Sequence, residues 1–134
     1  MTVQLSFAVR TTRINSIQTT IGATAVLNLY SGSQPANAMS AAIGSLLVQM
    51  TSLPGVWMNQ ASQGSALFTG TWQGTASGGG TTAGYFRLCS NNTTTCGIQG
   101  SVGAGSGDLS LDNNSINVGQ LVTIASWIIT DGNP

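Results

Sequence analysis

Apolar residues follow two different rhythms along this chain. Between Ser6 and Gly22 they recur at helical spacing: Leu5, Val9, Ile14, Ile17 and Ile21 fall close to one stripe, and Arg10, Arg13 and Gln18 lie largely elsewhere. Ser6 offers an N-cap oxygen and Gly22 a left-handed stop, so the pattern predicts one helix over about residues 6–21. The β-branched threonines within it work against that assignment. After Gly22 the rhythm changes to short alternating or fully apolar runs broken by turn residues. Strands are predicted over 25–32, over 45–53 (ended by Pro54-Gly55), and over 66–75 with a bulge at Gly70. Residues 84–90 and 95–103 read as a hairpin around Asn91-Asn92, and 108–112 as a short strand. The run 120–130 is apolar on both faces, which predicts a central strand. Residues 31–44 have no period and read as a loop, while 56–65 fits either a loop or a short helical turn. The fold expected is mainly β: an antiparallel β-sandwich, or a jelly-roll-like or barrel variant, with one N-terminal α-helix. All of 1–134 fits a single domain, with a β-rich body over about 24–130.

Composition narrows function more than fold. Only 4% of the 134 residues are charged, against about 25% in an ordinary soluble domain. There are three arginines (Arg10, Arg13, Arg87) and three acids (Asp108, Asp112, Asp131), with no lysine, glutamate or histidine. Three cations are too few to displace counterions along a nucleic acid or to form a polybasic membrane patch. No apolar run reaches the length of a membrane span, and the N-terminus lacks the pattern of a secretory signal. The expectation is a protein made in the cytoplasm, with no nucleic-acid or membrane partner. Near-zero net charge leaves little to keep copies apart, which suits a chain that ends in a large assembly.

The candidate chemistry is sparse. Gly78-x-Gly80-x-x-Ala83 has the outline of a dinucleotide fingerprint, but it leads into the strand-like 85–89 rather than a helix. A Walker-type loop needs a lysine, which this chain lacks. The glycines therefore read as a flexible connection beside Trp72, free to order against a neighbouring subunit. Without histidine the commonest general base is missing, and no serine or cysteine triad can be built. Asp108 and Asp112 form the one close carboxyl pair; turn formation at strand ends is the simple reading, with calcium as the alternative. No catalytic residue, cofactor or metal ligand is expected. Cys89 and Cys96 sit on opposite arms of the predicted hairpin, within reach of a disulfide. In a reducing cytoplasm they stay free thiols, with a bridge closing after release from the cell as the alternative. Trp57, Trp72 and Trp127, with Tyr30 and Tyr85, are either core or a sugar-stacking platform, and Trp72 is the one expected to be most exposed. Arg13 could pair with a carboxylate of another subunit, or simply sit on a solvated helix face.

A set of short motifs then runs the length of the chain in order: "MTVQLSFAVR", "TTIGATAVLNLYSG", "ASQGS", "GTWQGTA", "AGYFRL", "TTCGIQGSVG", the spaced Leu111-Asp112-Asn113, Ser115-Ile116 and Gly119-Gln120, and the ending "TDGN". Together they resemble small virion-type structural proteins of tailed bacteriophages and prophages. The resemblance implies a virion component, made in the host cytoplasm, with no catalytic residue carried over. A capsid decoration or cement protein fits best. Its partners would be the phage major capsid protein and further copies of itself, with a trimer as a natural number at a symmetry axis. The alternative is a tail- or fibre-associated protein that binds host-surface glycans. The contact residues expected are Val9, Arg10, Arg13, Ile14 and Ile17 on the helix, and Trp72, Gly78, Gly79 and Gly80 around the glycine loop.

Overall fold

The computed structural model describes residues 3–91 and 95–131. One helix, α1 (Phe7–Ile21), precedes nine strands. They are β1 (Ala25–Ser31), β2 (Leu46–Met50), β3 (Ser65–Leu67), β4 (Gln73–Thr75), β5 (Thr81–Ser90), β6 (Cys96–Ala104), β7 (Leu109–Leu111), β8 (Ser115–Ile116) and β9 (Leu121–Thr130). Ser6 is extended and its Oγ accepts the Val9 N–H at 3.3 Å, which starts the helix. Gly22 ends it at φ 93°, donating its N–H to the Gln18 carbonyl at 2.9 Å. The buried stripe is narrower than the spacing predicts. Ile14 and Ile21 enter the core and Ile17 packs at its margin, but Val9 and Phe7 are exposed.

The strands run in the order β2-β1-β5-β6-β7-β9-β3, with β4 also on β9 and β8 on the first residues of β5. The named strand pairs are antiparallel except one: β6 and β7 are parallel, with Val102 opposite Leu109, so the sheet is mixed. Parallel neighbours usually need a crossover of a dozen residues or more. Here residues 105–108 coil back on the spot, using positive φ at Gly105 and Gly107. The Asp108 carboxylate pins the coil by accepting from the Ser101 N–H at 2.8 Å and its hydroxyl at 2.9 Å.

The predicted strand 66–75 is split into β3 and β4, both paired with β9. Between them Gly70 takes φ 70° and its backbone passes close under the Pro54 ring. Residues 56–65 form no helical turn; Met58 bridges to Phe68 and Ser62 to Ser65 instead. β9 is paired along its length by β7, β3 and β4, as a central strand should be. It buries only one face, however, with Val122, Ile124 and Trp127 inside and Leu121 and Ile128 exposed.

The sheet bends until β4 meets β2. The N–H groups of Ser77 and Gly78, just past β4, donate to the Leu47 carbonyl of β2 at 3.0 and 3.1 Å. Gly74 packs directly on Val48 and Met50. The result is a β-sandwich with one N-terminal helix, filled by a single cluster of apolar side chains. Trp57, Trp72 and Trp127 lie at its centre, their ring centroids 5.4 to 6.2 Å apart. The Trp57 indole N–H donates to the Gly22 carbonyl and that of Trp72 to the Thr69 carbonyl, each at 2.9 Å. Among the described residues no helix is long and apolar enough to cross a membrane.

Candidate functional site

The sheet is buried on its outer face as well, over β1 and β5, and the local chemistry concentrates there. β1 reads Ala-Val-Leu-Asn-Leu-Tyr, and all six of these residues are buried. Leu27 and Leu29 belong to the core; Val26, Asn28 and Tyr30 alternate to the other face. In register with them stand Cys89, Arg87 and Tyr85 of β5. A polar row crosses four strands on this face, Gln49–Asn28–Arg87–Gln99, each residue directly opposite the next. Gln49 Nε2 donates to Asn28 Oδ1 at 3.1 Å.

The lid over this face is the 32–44 loop, and it is held mostly by its backbone. One Arg87 terminal nitrogen donates to the carbonyls of Ala38 and Ser40, at 2.6 and 2.7 Å. The Tyr85 hydroxyl accepts from the Ile43 N–H at 2.9 Å and donates to the Ile43 carbonyl. Gln99 Nε2 donates to the Pro35 carbonyl at 2.8 Å. Tyr85 also stacks on Tyr30 with centroids 5.0 Å apart. Two of the loop's apolar residues, Met39 and Ile43, are exposed, while Pro35 is buried. Asn37 shapes the turn by accepting the N–H groups of Met39 and Ser40.

Arg87 is the unusual member. It is 2% exposed, and its Nε has no hydrogen-bond partner. A buried guanidinium normally finds a carboxylate. The three aspartates are engaged elsewhere: Asp108 with Ser101, Asp112 with the N–H groups of Asn113 and Thr123, and Asp131 with Arg13. What lies beside Arg87 is the cysteine pair. Cys89 and Cys96 are opposite each other on β5 and β6, both as free thiols. A bulge brings them together. Leu88 faces Ile98, so regular pairing would put Gly97 opposite Cys89; the extra residue instead moves Cys96 there. Gly97 occupies the bulge because a Cβ there would collide with the Ile21 side chain.

The two thiols act on each other. Hydrogen bonding from Cys89 lowers the Cys96 thiol to about pKa 6 against the opposing effect of burial, and the Arg87 guanidinium adds to this by hydrogen bond and charge. Cys89 shifts upward, through that same hydrogen bond and then through burial. Asn28 Nδ2 lies 3.7 Å from the Cys89 sulfur. In its protonated form Cys96 donates to the Ile98 carbonyl at 3.1 Å. Burial also raises the Tyr30 phenol. The arrangement sets a thiol of lowered pKa beside a buried cation, with a second thiol opposite it.

The other expected residues are dispersed. Val9 and Arg13 are exposed on α1, Arg10 and Ile17 are partly covered, and Ile14 is 1% exposed and belongs to the core. Arg13 pairs with Asp131 of its own chain at 3.3 Å. Arg10 Nε donates to the Asp131 carbonyl at 2.6 Å. Trp72 is 1% exposed, which corrects its placement as a surface aromatic; it closes the core beneath Phe68, so no stacking platform forms around it. The glycine loop is seated against its own chain. Gly78 lies against Leu46 and Leu47, and Gly80 donates to the Ile116 carbonyl at 2.8 Å. A Cβ at Gly79 would come within 2.5 Å of the Val118 nitrogen. The predicted turn at Asn91-Asn92 lies partly outside the described residues. Among the described residues no group of three or more cysteines and aspartates is placed to hold a metal ion.

Arg87 was the one arginine given no role by sequence, because its partners are main-chain carbonyls and a sulfur across a bulge. Its position two residues before Cys89, on the same face of a strand, was the available signal. Compared with known proteins, the chain matches no family model, and neither a curated protein nor a solved structure is significantly similar to it.

Proposed function

We propose that this chain is a non-enzymatic structural protein of a tailed-phage virion, made in the host cytoplasm, and that it decorates the assembled head as a cement protein. Its partners in this reading are the major capsid protein and further copies of itself, in a homo-oligomer such as a trimer. The observation that carries the reading is the nature of the surface. With 4% charged residues, the exterior is built from hydroxyl and amide side chains interrupted by exposed apolar ones. Val3, Phe7 and Val9 lie at the start of α1, and Leu67 and Ile128 face each other across β3 and β9. Such a surface suits a broad, uncharged contact with a neighbouring shell. Binding only the assembled shell stabilises it by mass action. The motif series along the chain supports the same reading.

The test is to purify virions and count copies of this chain by quantitative mass spectrometry. A decoration protein is expected in numbers comparable to the major capsid protein. A handful of copies, or localisation to the tail, would replace the cement role with the tail- or fibre-associated alternative. The glycan-binding form of that alternative loses its best residue, since Trp72 has no exposed face to offer a sugar.

A further inference from the structure

The thiol pair has no part in head decoration, and the geometry around it is built. We propose that Cys89 and Cys96 are a modification site: a dithiol that exchanges with small dialkyl disulfides of the glutathione type and closes into a cross-strand bridge, with Cys96 as the attacking sulfur.

Four observations converge on this assignment. The two residues are direct partners across β5 and β6, and the bulge at Gly97 is what places them so. Each thiol shifts the ionisation of the other, Cys96 downward and Cys89 upward. Arg87, buried and without a carboxylate partner, puts its charge at the Cys96 sulfur and favours the thiolate there. Access is unequal: Cys96 is half-buried, while Cys89 is 0% exposed.

The chemistry balances with one reagent. The Cys96 thiolate attacks one sulfur of RSSR; a protein–SR bond forms, the S–S bond breaks, and RS⁻ leaves. The Cys89 thiol then gives up its proton, to the departing thiolate or to water, and attacks the Cys96 sulfur of the mixed disulfide. A second RS⁻ leaves and the intramolecular bridge remains. The protein dithiol is oxidised by two electrons, and RSSR is reduced to two RSH. This inference does not rest on the virion reading; it holds for the chain wherever it works.

The experiment treats the reduced full-length protein with oxidised glutathione and follows intact mass and peptide maps over time. The expected course is a transient single glutathione adduct on Cys96, then loss of two hydrogens and a peptide linked through Cys89 and Cys96. Cys89→Ala should trap the Cys96 adduct, and native Cys96→Ala should stay unmodified. Arg87→Gln should slow the first step several-fold near neutral pH and much less at about pH 9, where the thiol ionises unaided. If a variant fails to fold, the wild-type time course decides alone through the site of the first adduct. A first adduct on Cys89, intermolecular dimers as the main product, or a wild-type Cys96 adduct that never resolves would each overturn the proposal.

Discussion

A single side chain, Arg87, connects two parts of the molecule that sequence keeps apart. Its guanidinium holds the 32–44 loop by the carbonyls of Ala38 and Ser40 and also lies at the Cys96 sulfur. Arg87→Met keeps the bulk but removes every donor, leaving the two loop carbonyls under-satisfied. It is expected to cost about 2–4 kcal/mol, read from urea unfolding. It should also expose the 32–44 backbone to amide exchange before global unfolding. The pH behaviour of Cys96 follows from its lowered pKa. A thiol titrating at about 6 is mostly thiolate at neutral pH. Its alkylation by iodoacetamide should rise as pH passes upward through 6 and be nearly flat above 7. An ordinary cysteine would keep gaining until about pH 9. Stability has the same sign: the lowered pKa of Cys96 favours the folded state by an amount that is full above the ordinary thiol value near 9, shrinks as pH falls from there, and is gone below about 6.

At the scale of elements, local chemistry was legible and long-range pairing was not. Ser6 and Gly22 bracket α1 as read, because caps are satisfied by neighbours in sequence. β1 starts and stops where turn residues put it, whereas β2 ends at Met50, short of the expected stop at Pro54. The split of 66–75 depends on Pro54 lying over Gly70, and the parallel β6–β7 pair depends on a coil pinned by Asp108 and Ser101. Neither can be seen from periodicity alone. Trp72 was misplaced for a related reason: a tryptophan between two glycines looks exposed until the sheet closes over it. The cysteine pair was half legible, since a hairpin brings the arms together but does not announce the bulge that matches the two residues. Two changes test this level. Gly79→Ala would push a methyl into the 117–118 backbone and should cost about 1–3 kcal/mol in thermal or urea unfolding. Closing the Cys89–Cys96 bridge, which spans eight residues, should add about 2.5 kcal/mol on the chain-entropy account. That gain would appear as a higher melting temperature after oxidation, and it should vanish on adding reductant.

For the molecule as a whole, the scarcity of charge becomes a measurable property. One ion pair, Arg13 with Asp131, is recorded among the described residues, and the Arg13 end of it is 58% exposed. Surface pairs of this kind contribute about 0–1 kcal/mol. Raising sodium chloride from about 0.05 to 0.5 M, which shortens the screening length several-fold, should therefore change the unfolding free energy by less than about 0.5 kcal/mol. Binding to isolated phage heads should be equally indifferent to salt if the contact is made by the apolar and amide surface. A steep loss of binding with salt would mean that the three arginines carry it. Trp72→Ala, by contrast, should cost about 3–5 kcal/mol because it empties the centre of the core.

The meeting of β4 and β2 has one more consequence. A chain with so few charges has weak colloidal protection, and an open ladder of unpaired N–H and C=O groups would invite the next copy to add on as a strand. By turning its sheet until Ser77 and Gly78 cap Leu47, the fold covers part of that template on β2. When crowding brings copies side by side, that stretch of β2 is no longer free to take on a further strand.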